Sequence, residues 1–484
     1  MARFPGRPAG RPFADDYDAR LTGRSPRGAA APAAMVGALP RGSAQRSAYL
    51  RGLERALSPH DADTDVQRRR LAVIERLRSG WARREEPELD VVQNDHGSDV
   101  FPLVGEVLAT PTTWDDIRAE GGEAGLAEVP LGHPELEGRV VRLRQSSPGP
   151  TADLTELVRS LRGRGHAVSM SYVTPLGGRP IMKPNSGEFA PRVADFPTYR
   201  DAGPRYGEGV VVAVIDTGVT AEPRTDGWLA SVPRVTTDDP VTHHDEPNID
   251  PLDAEPADGW LDVYAGHGTF VAGLVARVAP GAEIRVYRAV GPGGAGCELD
   301  VACALVRAVR DGADVVNLSL GTQTLFDEAS IPLAAALDII SDLEDERGTT
   351  SVIVASAGNY GDAVPTWPAA FGRVLAVGGL TADLRPTPWS SRGSWVDVST
   401  VGEDVVSTYV QGRQNPAFGE GRTFGENAFA SWVGTSFAAP QVAGAIARTM
   451  TELGVNGPQA VDALLAAGKP VAGFGKALQI LPGA

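Results

Sequence analysis

The spacing of apolar positions divides the chain into stretches of different character. Residues 1–45 are rich in Ala, Pro, Gly and Arg and carry no apolar period, which predicts a disordered arm. Leucine and valine then recur at helical spacing in RSAYLRGLERALS (46–58) and TDVQRRRLAVIERLRSGWARR (64–84), predicting amphipathic helices within a segment 46–95. From residue 98 the pattern changes to short β-branched runs separated by helical ones: DVFPLVGEVLA, TWDDIRAEG, GRVVRLRQ, TADLTELVRSLRGRG and HAVSMSYV. That order of strand, helix, strand, helix, strand predicts a small α+β domain over 96–176. Thr151 or Asp153 is placed to cap its second helix and Gly163 or Gly165 to end it. Residues 177–205 are dense in Pro and Gly without periodicity and read as a linker.

Beyond the linker the alternation becomes regular. VVVAVI (210–215) is a continuous apolar run of the kind buried on both faces of a parallel sheet. HGTFVAGLVARVA (267–279) has helical spacing, and IRVYRAV (284–290) is again strand-like. Helices over 299–310, 331–346 and 436–452 and strands over 315–320, 351–357 and 374–379 continue the series. Strands alternating with helices predict an α/β fold over 206–484: a doubly wound, mainly parallel sheet with helices on both faces.

Composition narrows the classes. With 484 residues the chain has room for two or three domains, since single cores rarely exceed about 250–300 residues. No stretch approaches the ~20 apolar residues of a membrane-spanning helix, so no membrane partner is expected. The first twenty residues have arginines but no apolar h-region, so a cytoplasmic protein is expected. The net charge is −16, with the acidic excess after residue 90, which disfavours nucleic acid as a partner. Cys297 and Cys303 lie six apart where a helix should begin, a spacing that suits free thiols better than a disulfide or a metal site. The loop 238–262 contains His243, His244 and several carboxylates. It lacks the EF-hand spacing and reads as a solvated acidic loop, so no metal ligand is assigned.

Open α/β sheets place their sites beyond the carboxyl ends of the strands. Three polar residues sit there: Asp216 after VVVAVI, Asn359 after VIVASAG, and Ser436 after FASWVG at the start of a helix. Each alone fits an ordinary turn or cap, and His267 in GHGTF fits a packed helix start. Together they supply more. A serine nucleophile needs a base within hydrogen-bond reach, and the base needs a buried carboxylate to fix its tautomer. Asp216, His267 and Ser436 provide one of each, in the order Asp, His, Ser.

These residues lie in motifs that resemble those of the subtilisin-like serine peptidases, the subtilases. VIDTGV (214–219) is similar to their Asp motif, GHGTFVAG (266–273) to their His motif and SAGN (356–359) to their oxyanion-hole segment. GTSFAAPQVAG (434–444) is similar to their Ser motif and NLSLG (317–321) to their substrate-binding strand; the resemblance covers about 205–452. It implies a serine endopeptidase that needs no cofactor for its chemistry and acts on a peptide or protein substrate. Asp216, His267 and Ser436 would form the triad, with Asn359 and the Ser436 N–H as oxyanion donors. Substrate would lie extended between Ser319, Leu320 and Gly321 on one edge and the Gly-rich segment with Gly294 on the other. Gly321, Ala357 and Gly358 would leave a roomy pocket for an apolar residue before the cut. The family often holds structural calcium, but no ligand positions transfer. Three positions depart from its pattern: Phe270 and Gln441 stand where histidine is usual, and Phe437 where methionine is. The α+β region 96–176 has the size of a subtilase propeptide; an adaptor for one protein substrate, or a non-cleaving binding protein, are the other readings of this architecture.

Overall fold

The computed structural model describes residues 77–78, 81, 87–121, 125–175, 191–194, 206–234, 248–254, 257–416 and 421–481. The expected N-terminal arm, nearly all of the two helices before residue 85, most of the 177–205 linker and the histidines of the acidic loop lie outside these residues.

The N-terminal unit is built from β1 (Pro102–Ala109), α1 (Pro111–Ala119), β2 (Leu126–Val129), β3 (Val141–Gln145), α2 (Thr151–Gly163) and β4 (Val168–Pro175). Its strands pair antiparallel in the order β4-β1-β3-β2. Val107, Leu143 and Met170 from the sheet pack with Ile117, Leu154, Val158 and Leu161 from the helices. The expected cap of α2 is corrected: Thr151 is already helical, the cap position falls on Pro150, and no side chain caps the helix. Asp153 instead lies in the first turn, where a carboxylate favours the positive end of the helix dipole. Strand β2 has no counterpart in the expected pattern because only Leu126 of its residues is buried, leaving no alternation to read.

The linker contributes a short strand, β5 (Arg192–Ala194). The C-terminal body follows with β6 (Val211–Asp216), α3 (His267–Val278), β7 (Glu283–Arg288), β8 (Ala295–Cys297), α4 (Glu298–Arg310), β9 (Val315–Leu318) and α5 (Ile331–Arg347). It continues through β10 (Val352–Ser356), β11 (Leu375–Leu380), β12 (Val398–Val401), β13 (Val405–Thr408) and β14 (Phe429–Trp432). Helices α6 (Ala439–Leu453) and α7 (Gly457–Ala467) and the hairpin strands β15 (Lys469–Val471) and β16 (Gly475–Ala477) complete it. The central sheet has eight strands in the order β15-β16-β12-β11-β10-β9-β6-β7, parallel except for the terminal hairpin. From β6 the chain adds β7 on one side and then returns to add β9 on the other, so the crevice beyond the ends of β6 and β9 is where this sheet can receive a ligand. Helix α6 lies close to α3 because Gly444 has no side chain: a Cβ there would stand 2.8 Å from Cβ of Val278.

Two pairings join the N-terminal unit and linker to this body. Strand β4 continues its sheet onto β8, with Val173 opposite Cys297 and Pro175 opposite Ala295. Strand β5 pairs antiparallel with β14, which also pairs with β13. Cys297 and Cys303 are free and buried. Helix α7, absent from the expected elements, carries a full capping box: Asn456 accepts from Gln459 N at 3.0 Å, and the Gln459 side chain accepts from Asn456 N at 3.2 Å. Asn456→Ala is expected to lower stability by about 1 kcal/mol, read as a lower denaturation midpoint, with Asn456→Ser near the parent value.

Candidate active site

Asp216 ends β6 in complete burial. One carboxylate oxygen, Oδ1, accepts from Thr217 N at 2.8 Å and from His267 Nδ1 at 2.7 Å. An ionised carboxylate can only accept, so the hydrogen of this bond sits on Nδ1; in the neutral imidazole the lone pair is then on Nε2. The close approach of α3 to the end of β6 depends on two glycines. A Cβ on Gly268 would stand 2.1 Å from the Gly218 carbonyl oxygen, and one on Gly218, where φ is +108°, would stand 2.6 Å from the Asn248 carbonyl oxygen. Thr217 and Asp250 brace the same corner. Thr217 Oγ1 donates to Asp250 Oδ2 at 2.7 Å and accepts from Gly268 N at 3.1 Å, while Gly266 N donates to Asp250 Oδ2 at 2.8 Å. Burial pushes Asp250 up to about 6, against the three hydrogen bonds from Thr217, Gly266 and Leu252. Neither residue was marked by the sequence: Asp250 is one of many carboxylates in its loop.

Ser436 lies in a 3-10 turn, Thr435–Phe437, that precedes α6, so the helix expected over 436–452 starts three residues later than its pattern suggested. Gly434 enters this turn at φ 155° and ψ 159°, a region essentially closed to other residues. The hydroxyl of Ser436 donates to the Ser319 carbonyl at 3.2 Å, and Ser319 Oγ donates to the Ser436 carbonyl at 2.7 Å. The structure thus brings Asp216 and His267 into contact and ties Ser436 to the end of β9; no hydrogen bond joins Ser436 to His267 in this state.

Asn359 is oriented by its partners. Its Oδ1 accepts from Thr435 N at 2.9 Å and Thr435 Oγ1 at 3.0 Å, and Thr435 Oγ1 also accepts from Gly358 N at 3.1 Å. The backbone donor at Thr435 requires the amide oxygen there, which turns Nδ2 outward, close to Gly434. Neither Nδ2 of Asn359 nor the Ser436 N–H has an acceptor among the described residues.

Phe270, the departure from the expected histidine, packs its ring 4.6 Å from Phe437 and 5.6 Å from Trp432. Phe437 and Trp432 in turn lie 5.2 and 5.5 Å from the His267 ring, so the imidazole has aromatic neighbours as well as Asp216. Gln441 donates to the Val401 and Phe437 carbonyls at 2.8 and 2.7 Å, a purely internal use. Among the expected substrate-side residues, Ser319, Leu320 and Ala357 are buried, and hypothetical Cβ atoms on Gly321 and Gly358 would meet the Thr366 methyl at 2.8 and 3.2 Å. Gly294, at φ +90°, lies against the Tyr264 ring at the turn into β8, whose edge is occupied by β4. No cluster of three potential metal ligands occurs among the described residues.

Residues 207–468 match the sequence model of the subtilase family, 262 of the 484 residues. The chain belongs to the subtilase family. It is therefore a member of a family of serine peptidases, hydrolases of the peptide bond. It is 31% identical over 278 residues to the Thermophilic serine proteinase of Bacillus sp. (strain AK1), covering 55% of this chain and 58% of that protein. Against Subtilisin Savinase of Lederbergia lenta it is 31% identical over 252 residues, 50% of this chain and 76% of the relative. This subtilase thus spans little more than half the length of the first relative. Among solved structures it shares its fold with fervidolysin of Fervidobacterium pennivorans, a keratinolytic enzyme related to subtilisin. The TM-score is 0.52 at 20% identity, covering 82% of this chain and 64% of fervidolysin. Residues 207–484 are 278 of 484, so a likeness over 82% of the chain takes in residues before 207.

The glycine contact at the Asp216–His267 corner gives a test. Gly268→Ala is expected to push α3 from β6, lower Tm by a destabilisation of about 1–3 kcal/mol and slow labelling of Ser436 by a fluorophosphonate. Gly163→Ala, at an open position with no neighbour within 4 Å, is the control and should change neither.

Proposed function

We propose that this subtilase is a serine endopeptidase in which Ser436 is the nucleophile, His267 the general base and acid, and Asp216 the carboxylate that orients it. The buried Asp216–His267 hydrogen bond at 2.7 Å carries the reading, because it fixes the tautomer that leaves Nε2 able to take a proton. When a peptide carbonyl enters, the Ser436 hydroxyl leaves the Ser319 carbonyl for His267, attacks the carbonyl carbon, and His267 passes the proton to the departing amine. Water then hydrolyses the acyl-enzyme with His267 again as base. The unengaged Ser436 N–H and Asn359 Nδ2 are available to the oxyanion. An apolar side chain before the cut belongs to the same reading, supported by the small, uncharged residues Gly321, Ala357 and Gly358.

The N-terminal unit acts as a propeptide-like inhibitor in this reading. Strand β4 occupies the β8 edge, where a substrate would add as a strand, and β5 lies on β14, the strand that runs into Gly434 and Ser436. Self-processing falls in the 176–190 stretch between them. Two free, buried cysteines support work in a reducing, intracellular compartment.

Intact-mass measurement separates the possibilities. Wild type is expected to lose an N-terminal fragment ending between residues 176 and 190, and Ser436→Ala to remain whole; equal masses under conditions where wild type digests peptides would remove the self-processing step. Asn359→Ala should lower kcat by about 10²- to 10³-fold with KM little changed, the order found when such a donor is removed from a subtilisin.

A further inference from the structure

Where the N-terminal unit meets the peptidase body, two carboxylates are buried that the proposed chemistry does not use. Glu298 opens α4 directly after the β8 edge, and Glu328 lies shortly before α5; both are inaccessible to solvent. Glu298 Oε1 accepts from the backbone N–H of Tyr172 in β4 at 2.9 Å, and its Oε2 accepts from Ser330 Oγ at 2.5 Å. Glu328 Oε1 accepts the Tyr172 phenol at 2.8 Å, its Oε2 accepts from Phe326 N at 2.9 Å, and the phenol oxygen accepts from Leu325 N at 3.1 Å. Tyr172 is thus a point at which the N-terminal unit inserts into the body, with its backbone N–H and its phenol both engaged. The nearby cations are committed elsewhere: Arg142 and Arg144 both donate to Glu106, at 2.9 and 2.8 Å.

We propose that Glu298, Glu328 and Tyr172, with His133 and Asp300, form a proton-linked latch that holds the N-terminal unit on the β8 edge in acid and loosens it as pH rises. Its regulatory meaning rests on the propeptide-like reading above; the docking itself does not.

Buried carboxylates without a cation favour the neutral form. Burial pushes Glu298 up to about 8, opposed by the Ser330 and Tyr172 hydrogen bonds and reinforced by Glu328 and Glu106. Burial and Glu328 hold the Tyr172 phenol well above its ordinary range, so it stays a donor. Burial likewise keeps the Cys297 thiol, beside Glu298, neutral.

The second proton is read from geometry. His133, in the N-terminal unit, faces the Leu131 carbonyl with Nδ1 at 2.8 Å and the Asp300 carboxylate on α4 with Nε2 at 3.0 Å. Both partners are acceptors, so both ring nitrogens must donate and the imidazole is a cation. Burial opposes that charge, but the Asp300 and Leu131 hydrogen bonds outweigh it and the group is raised from 6.5.

The signs agree. For Glu298 the docked value of about 8 exceeds the ordinary 4.5, so docking takes up a proton between them and weakens as pH climbs through that window. For His133 the contribution is complete below 6.5 and is lost as pH passes its raised value. Other cross-contacts include the exposed pairs His96 with Asp327 and Arg139 with Asp342, of small weight, and the hydrogen bonds of Asn94 to Gln323 and Thr324 and of Ser98 to Asp362. Arg307 with Glu135 is a partly buried pair at 3.5 Å.

Hydrogen exchange on the full chain carrying Ser436→Ala, corrected for intrinsic rate, tests the latch. Protection of the β4 and β8 amides is expected to fall by up to about tenfold per pH unit and per linked proton between about pH 5 and pH 8. Glu298→Gln should flatten that slope by about one proton, while Tyr172→Phe should lower protection at every pH and leave the slope. Protection that is flat with pH in the parent, or a slope unchanged in Glu298→Gln, overturns the proposal. Should Glu298→Gln also lose protection in β6 and β9, Glu328→Gln replaces it: without the neighbouring carboxylate the docked value of Glu298 is lower, so the fall must end at lower pH, and an unmoved profile sinks the latch. A pH slope in a chain whose wild type never processes itself leaves the latch standing and removes the propeptide-like reading.

Discussion

The bond between Asp216 and His267 is possible only because two backbones come closer than side chains would permit. At the corner where β6 ends and α3 begins, Gly268 rests on the Gly218 carbonyl, and Gly218 in turn rests on residues 248–250. The glycines of the two motifs are therefore parts of one contact rather than separate turn signals. Its neighbours are arranged around that corner: Thr217 and Asp250 brace it by hydrogen bonds, and the rings of Phe437 and Trp432 pack against the imidazole. A buried carboxylate at this place costs free energy, and the cost is offset locally by backbone donors rather than by a cation.

Ser436 depends on a different contact. It is tethered to Ser319 through a reciprocal pair of hydrogen bonds, each hydroxyl using the other residue's carbonyl, and Asn317 donates to Ser319 Oγ at 2.9 Å behind them. The end of β9 and the turn before α6 thus move as one piece. Asn359 joins the same piece through Thr435. The Asp216–His267 corner and the Ser436 turn touch through Phe437, whose ring lies against both His267 and Phe270.

Much of this was legible in the sequence because buried parallel strands are apolar throughout, as in the run that ends at Asp216, and the motif residues sit at their ends. Legibility failed where burial and polarity part company. Strand β12 reads VSTV, yet Ser399 and Thr400 are wholly buried, so its pattern resembled a loop. Strand β2 failed for the opposite reason, being an edge with a single buried residue. Asp250 looked like a solvated acid among its neighbours, and only the fold turns it inward. Glu298 carried no mark in the sequence, because it meets a strand more than a hundred residues earlier in the chain. Helix α7 was missed although Asn456 and Gln459, three apart, carry the spacing of a capping box that the structure shows to be formed.

The double anchoring of the chain through β4 and β5 has a consequence for mass action. While the backbone between Pro175 and Pro191 is continuous, the N-terminal unit faces its own body at the high effective concentration that a short tether imposes. Were that backbone cut, nothing covalent would hold the strand on β8 to the strand on β14. Occupancy of the β8 edge would then follow dilution, and a molecule that was its own partner would have to find it in solution.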